Sequence, residues 1–257
     1  MQKNPLRQVL AEGQIVTGAF TGFTSLGLVE ILGYAGCDLV ILDTEHGPLS
    51  METLEALICA ANAAGTAPIV RVPGPAPSMI LQALDLGGWG VHVPRVNERE
   101  EAQRAVEAAR YYPLGQRGLH AAVRAARYGF TPPAEYLHWA NEEPLVIIAI
   151  ESVEGIKNLP EILTVSGIDV IFVGPADLSH SLGVPAQFNH PRLIEAMEEA
   201  ISRTLDAGLV VGTFVITPEQ AWRWMDKGVR LITFGITPVI ARGTRDMVQA
   251  IQARGRV

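Results

Sequence analysis

The sequence has little cysteine and no glycosylation acceptor. Its two cysteines, Cys37 and Cys59, lie too far apart for the C-x-x-C spacing of redox and zinc motifs. No asparagine stands in the N-x-S/T pattern of an N-glycosylation site. Because disulfide frameworks and glycosylation are typical of secreted proteins, we expect this chain to work in the reducing cytoplasm.

Long apolar segments and basic clusters are also missing. The longest aliphatic run, residues 145–150, is far too short to span a bilayer, and the N-terminal segment MQKNPLRQVLAEGQ has no apolar core of signal-peptide length. The formal net charge is −7, and basic residues are densest in a scatter of arginines from Arg110 to Arg127. This pattern argues against a membrane or a nucleic acid as the partner and favours a small molecule.

Short aliphatic runs recur along the 257 residues, of which 48% are hydrophobic. The runs are bounded by Gly, Pro or Asp and alternate with longer segments of helical spacing, which is typical of βα units around a parallel sheet. Eight such units predict an α/β fold, a closed (β/α)₈ TIM barrel, as one domain over residues 1–257. The predicted strands are residues 15–20, 38–43, 67–72, 90–93, 145–150, 169–173, 210–214 and 230–235.

Helix-start signals support this alternation. Ser50 is predicted to cap one helix, and Pro191 and Pro218 to open two others, with ends near residues 64, 207 and 227. One connection, residues 111–130, is too long for a simple turn and is rich in Gly, Arg and Tyr. Such a long connection in a barrel predicts a functional loop.

Polar side chains follow several predicted strands at the point where each strand ends. They are Asp43, Glu45 and His46 after the second strand, Arg71 at the third, Glu151 after the fifth and Asp177 after the sixth. In a barrel the reacting groups come from the C-terminal ends of different strands, so these side chains are expected to converge at one mouth. Glu151 and Asp177 would supply two hard oxygen ligands, which suit Mg²⁺ or Mn²⁺ with positions open to water and substrate.

Each of these side chains also has an ordinary structural explanation. Glu151 could cap the helix that follows it, and Asp177 could cap the next turn. His46 could be a loop histidine bonded to a backbone carbonyl, with its acidic neighbours solvated around it. Arg71 could form a salt bridge at the surface or between helices. Both sets of explanations are open at the level of the sequence.

Six segments carry a resemblance that extends over nearly the whole chain. They are DTEHGP at 43–48, PIVRVP at 68–73, LDLG at 84–87, RYYPLGQRG at 110–118, IESVEGIKNLPEIL at 150–163 and GPADLSHSLG at 174–183. In these segments the chain resembles the metal-dependent class II pyruvate aldolases of the HpcH/HpaI family. The resemblance implies reversible cleavage of a 4-hydroxy-2-oxo acid to pyruvate and an aldehyde through a metal-stabilised enolate, in aromatic or sugar acid catabolism.

The resemblance also implies roles for individual side chains. Glu151 and Asp177 would bind a divalent cation, Mg²⁺, Mn²⁺ or Co²⁺, which also holds the carboxylate and keto oxygen of pyruvate. His46 would act in proton transfer. Arg71 would bind the keto oxygen and stabilise the enolate, which makes physical sense because a guanidinium and a metal both favour an enolate over its ketone.

Further implications concern the backbone and the assembly. The pyruvate carboxylate would lie against the N–H groups of the turn formed by Gly174, Pro175, Ala176 and Asp177. Asp85 of the LDLG segment would pair with the histidine of an adjacent subunit, unless it is an ordinary helix-end carboxylate. The family resemblance suggests a hexamer built as a trimer of dimers, and the apolar residues Met247, Val248 and Ile251 could pack on their own barrel or on a neighbour.

One position departs from the family pattern, and further functions stay open. Ala149 stands where several relatives have Gln, so we expect different substrate contacts. A Schiff-base aldolase would need a lysine at a strand end, but Lys3, Lys157 and Lys227 fall at the terminus or in helical segments. Also open are a carbon–carbon lyase for an acyl-coenzyme A, which needs a basic groove, and a barrel that binds a keto acid without catalysis.

Overall fold

Eight parallel strands close into a barrel in the computed structural model, which describes residues 1 to 255 of the chain and leaves the last two outside. Each strand pairs with the next, and β8 pairs with β1. The fold is the predicted (β/α)₈ TIM barrel, and every predicted strand agrees with the observed one to within one residue at each end. The strands are β1 (Val16–Thr21), β2 (Leu39–Asp43), β3 (Ala67–Arg71), β4 (Gly90–Val93), β5 (Leu145–Ile150), β6 (Val170–Val173), β7 (Val210–Phe214) and β8 (Leu231–Gly235).

Helices alternate with the strands and cover the outside of the barrel. A short 3₁₀ helix, Arg124–Gly129, lies in the connection between β4 and β5. Within the described residues the α-helices are α1 (Pro5–Ala11), α2 (Leu26–Tyr34), α3 (Met51–Ala63), α4 (Pro77–Asp85), α5 (Arg99–Ala109), α6 (Pro133–Glu142), α7 (Val153–Ile162), α8 (Pro175–Ser181), α9 (Pro191–Asp206), α10 (Pro218–Asp226) and α11 (Ile236–Gly255).

The predicted helix starts are confirmed. The side chain of Ser50 caps α3 by accepting a hydrogen bond from the amide of Thr53 at 3.1 Å. Pro191 and Pro218 stand in the first turns of α9 and α10. A backbone N–H has no intrahelical acceptor there, so its absence in proline costs the helix nothing. These three helices end within one residue of the predicted positions.

The strands are apolar on both faces because one face fills the barrel and the other packs beneath helices. β2 and β5 are buried along their whole length. The barrel interior is filled by alternate residues of the strands, among them Leu39, Ile41, Ala67, Ile69, Leu145, Ile147, Ala149, Val170 and Phe172. At the carboxyl end the strand register places Asp43 beside Arg71 and Arg71 beside His92, so the inward row becomes polar there.

The long connection predicted as a functional loop begins after α5, at the amino end of the barrel. Its residues Arg124 and Ala125 line a cavity of about 550 Å³ together with Ala67, at the start of β3, and Trp89, just before β4. Within one chain the loop is therefore remote from the mouth formed by the carboxyl ends of the strands. Its functional role stays a prediction.

The C-terminal helix α11 projects from the barrel with little cover from its own chain. Residues 237 to 254 are all exposed. Met247 and Ile251 expose 63% and 65% of their surface, so they do not pack on their own barrel, which was one of the two possibilities left open by the sequence. Among the described helices, none combines the length and the apolar character that crossing a membrane requires.

Candidate active site

A cavity of about 280 Å³ opens at the carboxyl end of the barrel. It brings together four side chains that the sequence analysis singled out: His46, Arg71, Glu151 and Asp177. The loops and strands that carry them are far apart in sequence, and the barrel closure places them around one opening. The remaining lining residues are Phe20, His92, Phe172, Gly174, Pro175, Ala176 and Phe214.

Glu151 directly follows β5 and is buried at the side of this cavity, with 7% of its surface exposed. Its Oε1 accepts a hydrogen bond from the backbone amide of Arg95 at 2.7 Å. Burial, together with the carboxylates of Asp177 and Glu45, raises the pKa of Glu151 to about 7, although the Arg95 hydrogen bond acts in the opposite direction. Glu151 does not cap the next helix, because Ser152 does so through a hydrogen bond from the Gly155 amide.

Gly174 allows the Glu151 carboxylate to lie against the end of β6. A Cβ added at Gly174 would stand 2.7 Å from Glu151 Oε2 and 3.0 Å from Glu151 Cβ, closer than side chains tolerate. Gly174 is also the N-cap residue of α8, and Asp177 lies in the first turn of that helix. The first-turn amides of a helix have no intrahelical acceptor, so Ala176 and Asp177 present N–H groups at the cavity.

The donor set fits a hard divalent cation. Burial contributes most to the raised pKa of Glu151, and the like charge of Asp177 adds to it, so a cation held by both carboxylates would favour their charged forms. Both are carboxylates, the ligands that Mg²⁺ and Mn²⁺ prefer. Within residues 1 to 255, no three or more His, Cys, Asp or Glu side chains form a fuller metal cage. Two protein ligands would leave coordination positions for water and substrate, which is the arrangement that the sequence predicts.

Arg71, the last residue of β3, is held by a two-pronged interaction with Asp43 at the end of β2. Its Nε donates to Oδ1 at 2.9 Å and its Nη2 donates to Oδ2 at 2.6 Å. Asp43 Oδ1 also accepts hydrogen bonds from the amides of Glu45 and His46. Burial alone would raise the pKa of Asp43, but the hydrogen bonds and charge of Arg71 and these two amides outweigh burial and lower it.

Glu45 lies among three positively charged or ionisable groups. Its carboxylate is 3.3 Å from Arg71 Nη1, 3.2 Å from Arg95 Nη2 and 3.8 Å from His46 Nε2. Only 8% of its side chain is exposed, so the explanation in which the acidic neighbours of His46 are merely solvated is wrong. The side chain of His46 is 67% exposed, which places the imidazole at the rim of the cavity.

The structure does not bring Asp85 to this cavity. Asp85 ends α4, so it stands toward the amino end of the barrel. Its Oδ1 is 2.5 Å from Arg117 Nη2, and the same nitrogen donates to the hydroxyl of Tyr136 at 3.2 Å. Within its own chain Asp85 is a paired carboxylate at a helix end, which agrees with its explanation as an ordinary helix-end carboxylate.

Two polar residues of the site were missed by the sequence analysis. His92 lies within the apolar run of β4, where its inward direction depends on the strand register. Arg95 lies just after β4 with a φ of 54°, a left-handed conformation that is uncommon for a residue other than glycine. A lone histidine between valines was the available signal for His92, and no sequence pattern marked Arg95.

Comparisons with known proteins identify the relatives of this chain. The family model described as "HpcH/HpaI aldolase/citrate lyase" matches residues 17–242. A 4-hydroxy-2-oxo-heptane-1,7-dioate aldolase from Klebsiella pneumoniae is 36% identical over 253 residues, which cover 98% of this chain and 93% of that protein. A 2-keto-3-deoxy-L-rhamnonate aldolase from Salmonella gallinarum is 34% identical over 92% of this chain and 88% of that protein.

A solved structure of the citrate synthase SbnG is similar over the whole barrel. The TM-score is 0.90 at 32% identity, and the match covers 98% of this chain and 99% of that chain. Similar sequences on this fold therefore include proteins with more than one named activity on carboxylic acids. The residues around the cavity decide what this chain does with the shared architecture.

Proposed function

The chain belongs to the HpcH/HpaI aldolase/citrate lyase family, and we propose that it is a metal-dependent aldolase that reversibly cleaves 4-hydroxy-2-oxo acids to pyruvate and an aldehyde. One observation carries the proposal: two carboxylates, a fixed arginine and a histidine face one cavity at the carboxyl end of the barrel. A keto-acid-binding barrel without catalysis has no need of a base beside a metal site. The geometry therefore favours an enzyme, a carbon–carbon lyase.

Glu151 and Asp177 would hold the divalent cation, Mg²⁺, Mn²⁺ or Co²⁺. When bound, the cation supplies a Lewis acid for the carboxylate and keto oxygens of the 2-oxo acid. The turn of Gly174, Pro175, Ala176 and Asp177 would bind the substrate carboxylate through the free amides of Ala176 and Asp177. These contacts place the 2-oxo end of the substrate against α8 and leave the rest of it toward the rim.

Arg71 would bind the keto oxygen and favour the enolate that forms when the C3–C4 bond breaks. Two of its nitrogens are fixed by Asp43, so the guanidinium has one orientation before substrate arrives. It also stacks over the ring of Phe20, with Cζ 4.9 Å from the ring centroid, in a largely buried site where its charge is weakly screened. A fixed positive charge beside the developing enolate lowers the barrier to cleavage.

His46 would move the proton of the 4-hydroxyl group. In the cleavage direction the imidazole, or a water it holds, takes the proton from the C4 oxygen. The C3–C4 electron pair then becomes the enolate and the aldehyde leaves. The enolate takes a proton at C3 from water to give pyruvate, and the imidazole returns its proton to water. The exposed position of His46 at the rim supports this role, because C4 of the substrate would lie on that side.

A Schiff-base mechanism has no suitable residue. Lys157 lies within α7, Lys227 pairs with Glu198 at 2.9 Å, and Lys3 precedes α1. None of these three lysines, which are all the lysines of the chain, lines the cavity. An imine with pyruvate therefore has no amine at the site, which supports the metal-dependent route.

We also propose a homo-oligomer, a hexamer built as a trimer of dimers, that works in the cytoplasm. The uncovered apolar side chains of α11 support an assembly, because a surface of this kind gains free energy when a partner covers it. Asp85 lies at the opposite end of its own barrel, so it could pair with His46 only in another copy of the chain. The proposed contribution of Asp85 to a neighbouring site thus requires the assembly.

The test is release of pyruvate from a racemic 4-hydroxy-2-oxo acid, followed with a coupled lactate dehydrogenase. We expect release to stop on EDTA treatment, to return with Mg²⁺ or Mn²⁺, and to be abolished in Glu151→Ala. Glu154→Ala, a matched change of an exposed glutamate in the first turn of α7, is the control and should stay active. Release that survives both EDTA and Glu151→Ala would reject the proposed mechanism.

Substrates of two further reactions belong in the same assay. An acyl-coenzyme A lyase would release a coenzyme A thioester, and a citrate synthase activity like that named for SbnG would form citrate. No specific contact in the cavity favours either reaction. If no 4-hydroxy-2-oxo acid is cleaved while one of these products forms, the aldolase proposal fails.

A further inference from the structure

His92 is a buried histidine whose ring has no hydrogen-bond partner. Only 1% of its surface is exposed. Neither Nδ1 nor Nε2 finds a donor or an acceptor among residues 1 to 255. Leaving a buried polar group unpaired costs about 1–3 kcal/mol, so such groups in a native fold usually serve a purpose. A leucine or phenylalanine would fill the same space without that cost.

The ring stands at the wall of the cavity, next to Arg71. His92 and Arg71 are partners in the register of β4 and β3, so both side chains point into the barrel at the same level. The imidazole packs edge-on against Phe172, with centroids 4.7 Å apart, and against Phe20 at 5.6 Å. Phe20 is also the ring over which Arg71 lies. These aromatic contacts fix the imidazole plane, which is a requirement for a directional hydrogen bond.

His92 borders an apolar part of the barrel interior on the side away from Arg71. Its register partner on β5 is Ile147, the next inward residue of β5 is Ala149, and the partner of Ala149 on β6 is Phe172. None of these three side chains can donate a hydrogen bond. A substrate oxygen between Arg71 and this apolar part would therefore meet the imidazole as the donor on that side.

The imidazole of His92 stays neutral at neutral pH. Burial and the nearby charge of Arg71 lower the pKa of His92 to about 3. A neutral imidazole carries one N–H and one lone pair, so it can donate a hydrogen bond without bringing a second full charge next to Arg71. Neutral imidazoles are effective electrophiles toward a carbonyl oxygen that gains negative charge.

We propose that His92 is a further catalytic residue, whose N–H donates a hydrogen bond to the keto oxygen of the bound 2-oxo acid beside Arg71. This role rests on the proposed aldolase function. The hydrogen bond strengthens as the keto oxygen becomes the enolate oxygen, so His92 contributes to formation of the enolate more than to binding of the ketone. The proton stays on the imidazole throughout, and no bond of His92 is made or broken.

The experiment compares His92→Leu, which has no donor, with His92→Gln, which keeps one. We measure kcat and KM for cleavage, and exchange of the pyruvate methyl protons in deuterated water by NMR, which reports enolate formation alone. Both are measured with Mg²⁺. Loss of one donor to an oxyanion typically slows a reaction by about 10²- to 10³-fold, so we expect His92→Leu to lower kcat and exchange by about 100-fold.

Two further readouts separate this role from simple packing. Removing an unpaired buried polar group should leave the unfolding temperature of His92→Leu equal to or above that of the wild type. Oxalate, an analogue of the enolate, should lose more affinity than pyruvate in titrations of His92→Leu. His92→Gln should exchange pyruvate protons at least ten times faster than His92→Leu. His138→Leu, on the exposed face of α6, is the control and should change none of these values.

The outcomes are distinguishable. Full exchange activity in His92→Leu, or equal losses in the leucine and glutamine variants, would overturn the role of His92 while the aldolase function stands. If the wild type neither cleaves 4-hydroxy-2-oxo acids nor exchanges pyruvate protons, the proposed function fails, and the role of His92 fails with it.

Discussion

The carboxylate of Asp43 and the guanidinium of Arg71 meet in two nearly parallel hydrogen bonds, 2.9 and 2.6 Å long, across adjacent strand ends. This arrangement is the bidentate pairing for which arginine is suited and lysine is not. It also explains why Asp43, the acidic last residue of β2, is buried. In the proposed mechanism Asp43 fixes the arginine before the substrate enters.

Asp43→Asn should therefore impair catalysis by releasing Arg71. Asparagine keeps the size of the side chain but loses the charge and one acceptor, so the guanidinium is free to reorient. Misplacement of a catalytic group by about 1 Å costs about 100-fold in rate, and we expect a loss of that size in kcat for pyruvate release. Asp206→Asn, at the exposed end of α9, is the matched control. An unchanged kcat in Asp43→Asn would contradict this positioning role.

Glu151 should make the metal-free protein less stable as the pH rises. Its carboxyl ionises near the usual value of about 4.3 in the unfolded chain, but near 7 in the folded chain. Between these values the folded state binds a proton that the unfolded state has lost, so stability falls until the pH passes 7. Glutamine has no proton to lose.

The corresponding measurement is urea unfolding of the wild type and Glu151→Gln in EDTA at pH 5 and pH 8. We expect the stability of the variant relative to the wild type to increase by roughly 3 kcal/mol from the lower to the higher pH. The same difference in stability between variant and wild type at both pH values would show that Glu151 has an ordinary pKa. Adding Mn²⁺ should stabilise the wild type at pH 8 and leave the variant largely unaffected.

Gly174→Ala should damage the cation site without unfolding the barrel. The added methyl would stand 2.7 Å from Glu151 Oε2, so the carboxylate must leave its present position. Changes next to a metal ligand typically weaken metal binding by about 10- to 100-fold, and we expect a loss in this range for Mn²⁺, followed by electron paramagnetic resonance. Gly27→Ala, in α2 with nothing within 4 Å of the new methyl, should bind Mn²⁺ normally.

Charged residues on α11 should change the assembly. Met247→Glu together with Ile251→Glu places two carboxylates on the uncovered apolar face. There they should destabilise a single chain little, but they should oppose burial of this face against a partner subunit. We expect light scattering after size-exclusion chromatography to show a smaller particle with an unchanged circular dichroism spectrum. Gln249→Glu, about half a helical turn away, is the control. An unaltered particle mass would show that this face lies outside the interface.

Much of the architecture follows from local signals. The strands were predictable because their apolar runs end sharply at Gly, Pro or Asp, and their number and alternation with helices leave one closed topology. The site residues at strand ends followed from the same rule. Glu151 is the clearest case, because its position after a wholly buried strand predicted a place at the mouth of the barrel, and it lines the cavity there.

Other features depend on register and on contacts distant in sequence. His92 looks like one more member of an apolar run until the pairing of β4 with β3 turns it inward. The partner of Asp85 is Arg117, 32 positions later, in a loop whose path no local pattern determines. For α11, amphipathic spacing is equally compatible with cover from its own barrel or from a neighbour, so the sequence could not decide between them.

The continuous row from Asp43 through Arg71 to His92 has a consequence for motion. Successive residues of this row belong to neighbouring strands, whose separation of about 4.8 Å is set by backbone hydrogen bonds. The amides of these strand ends should accordingly be among the slowest to exchange with deuterium in the molecule. The spacing of these three groups should therefore stay constant whatever movement occurs in the loops above them.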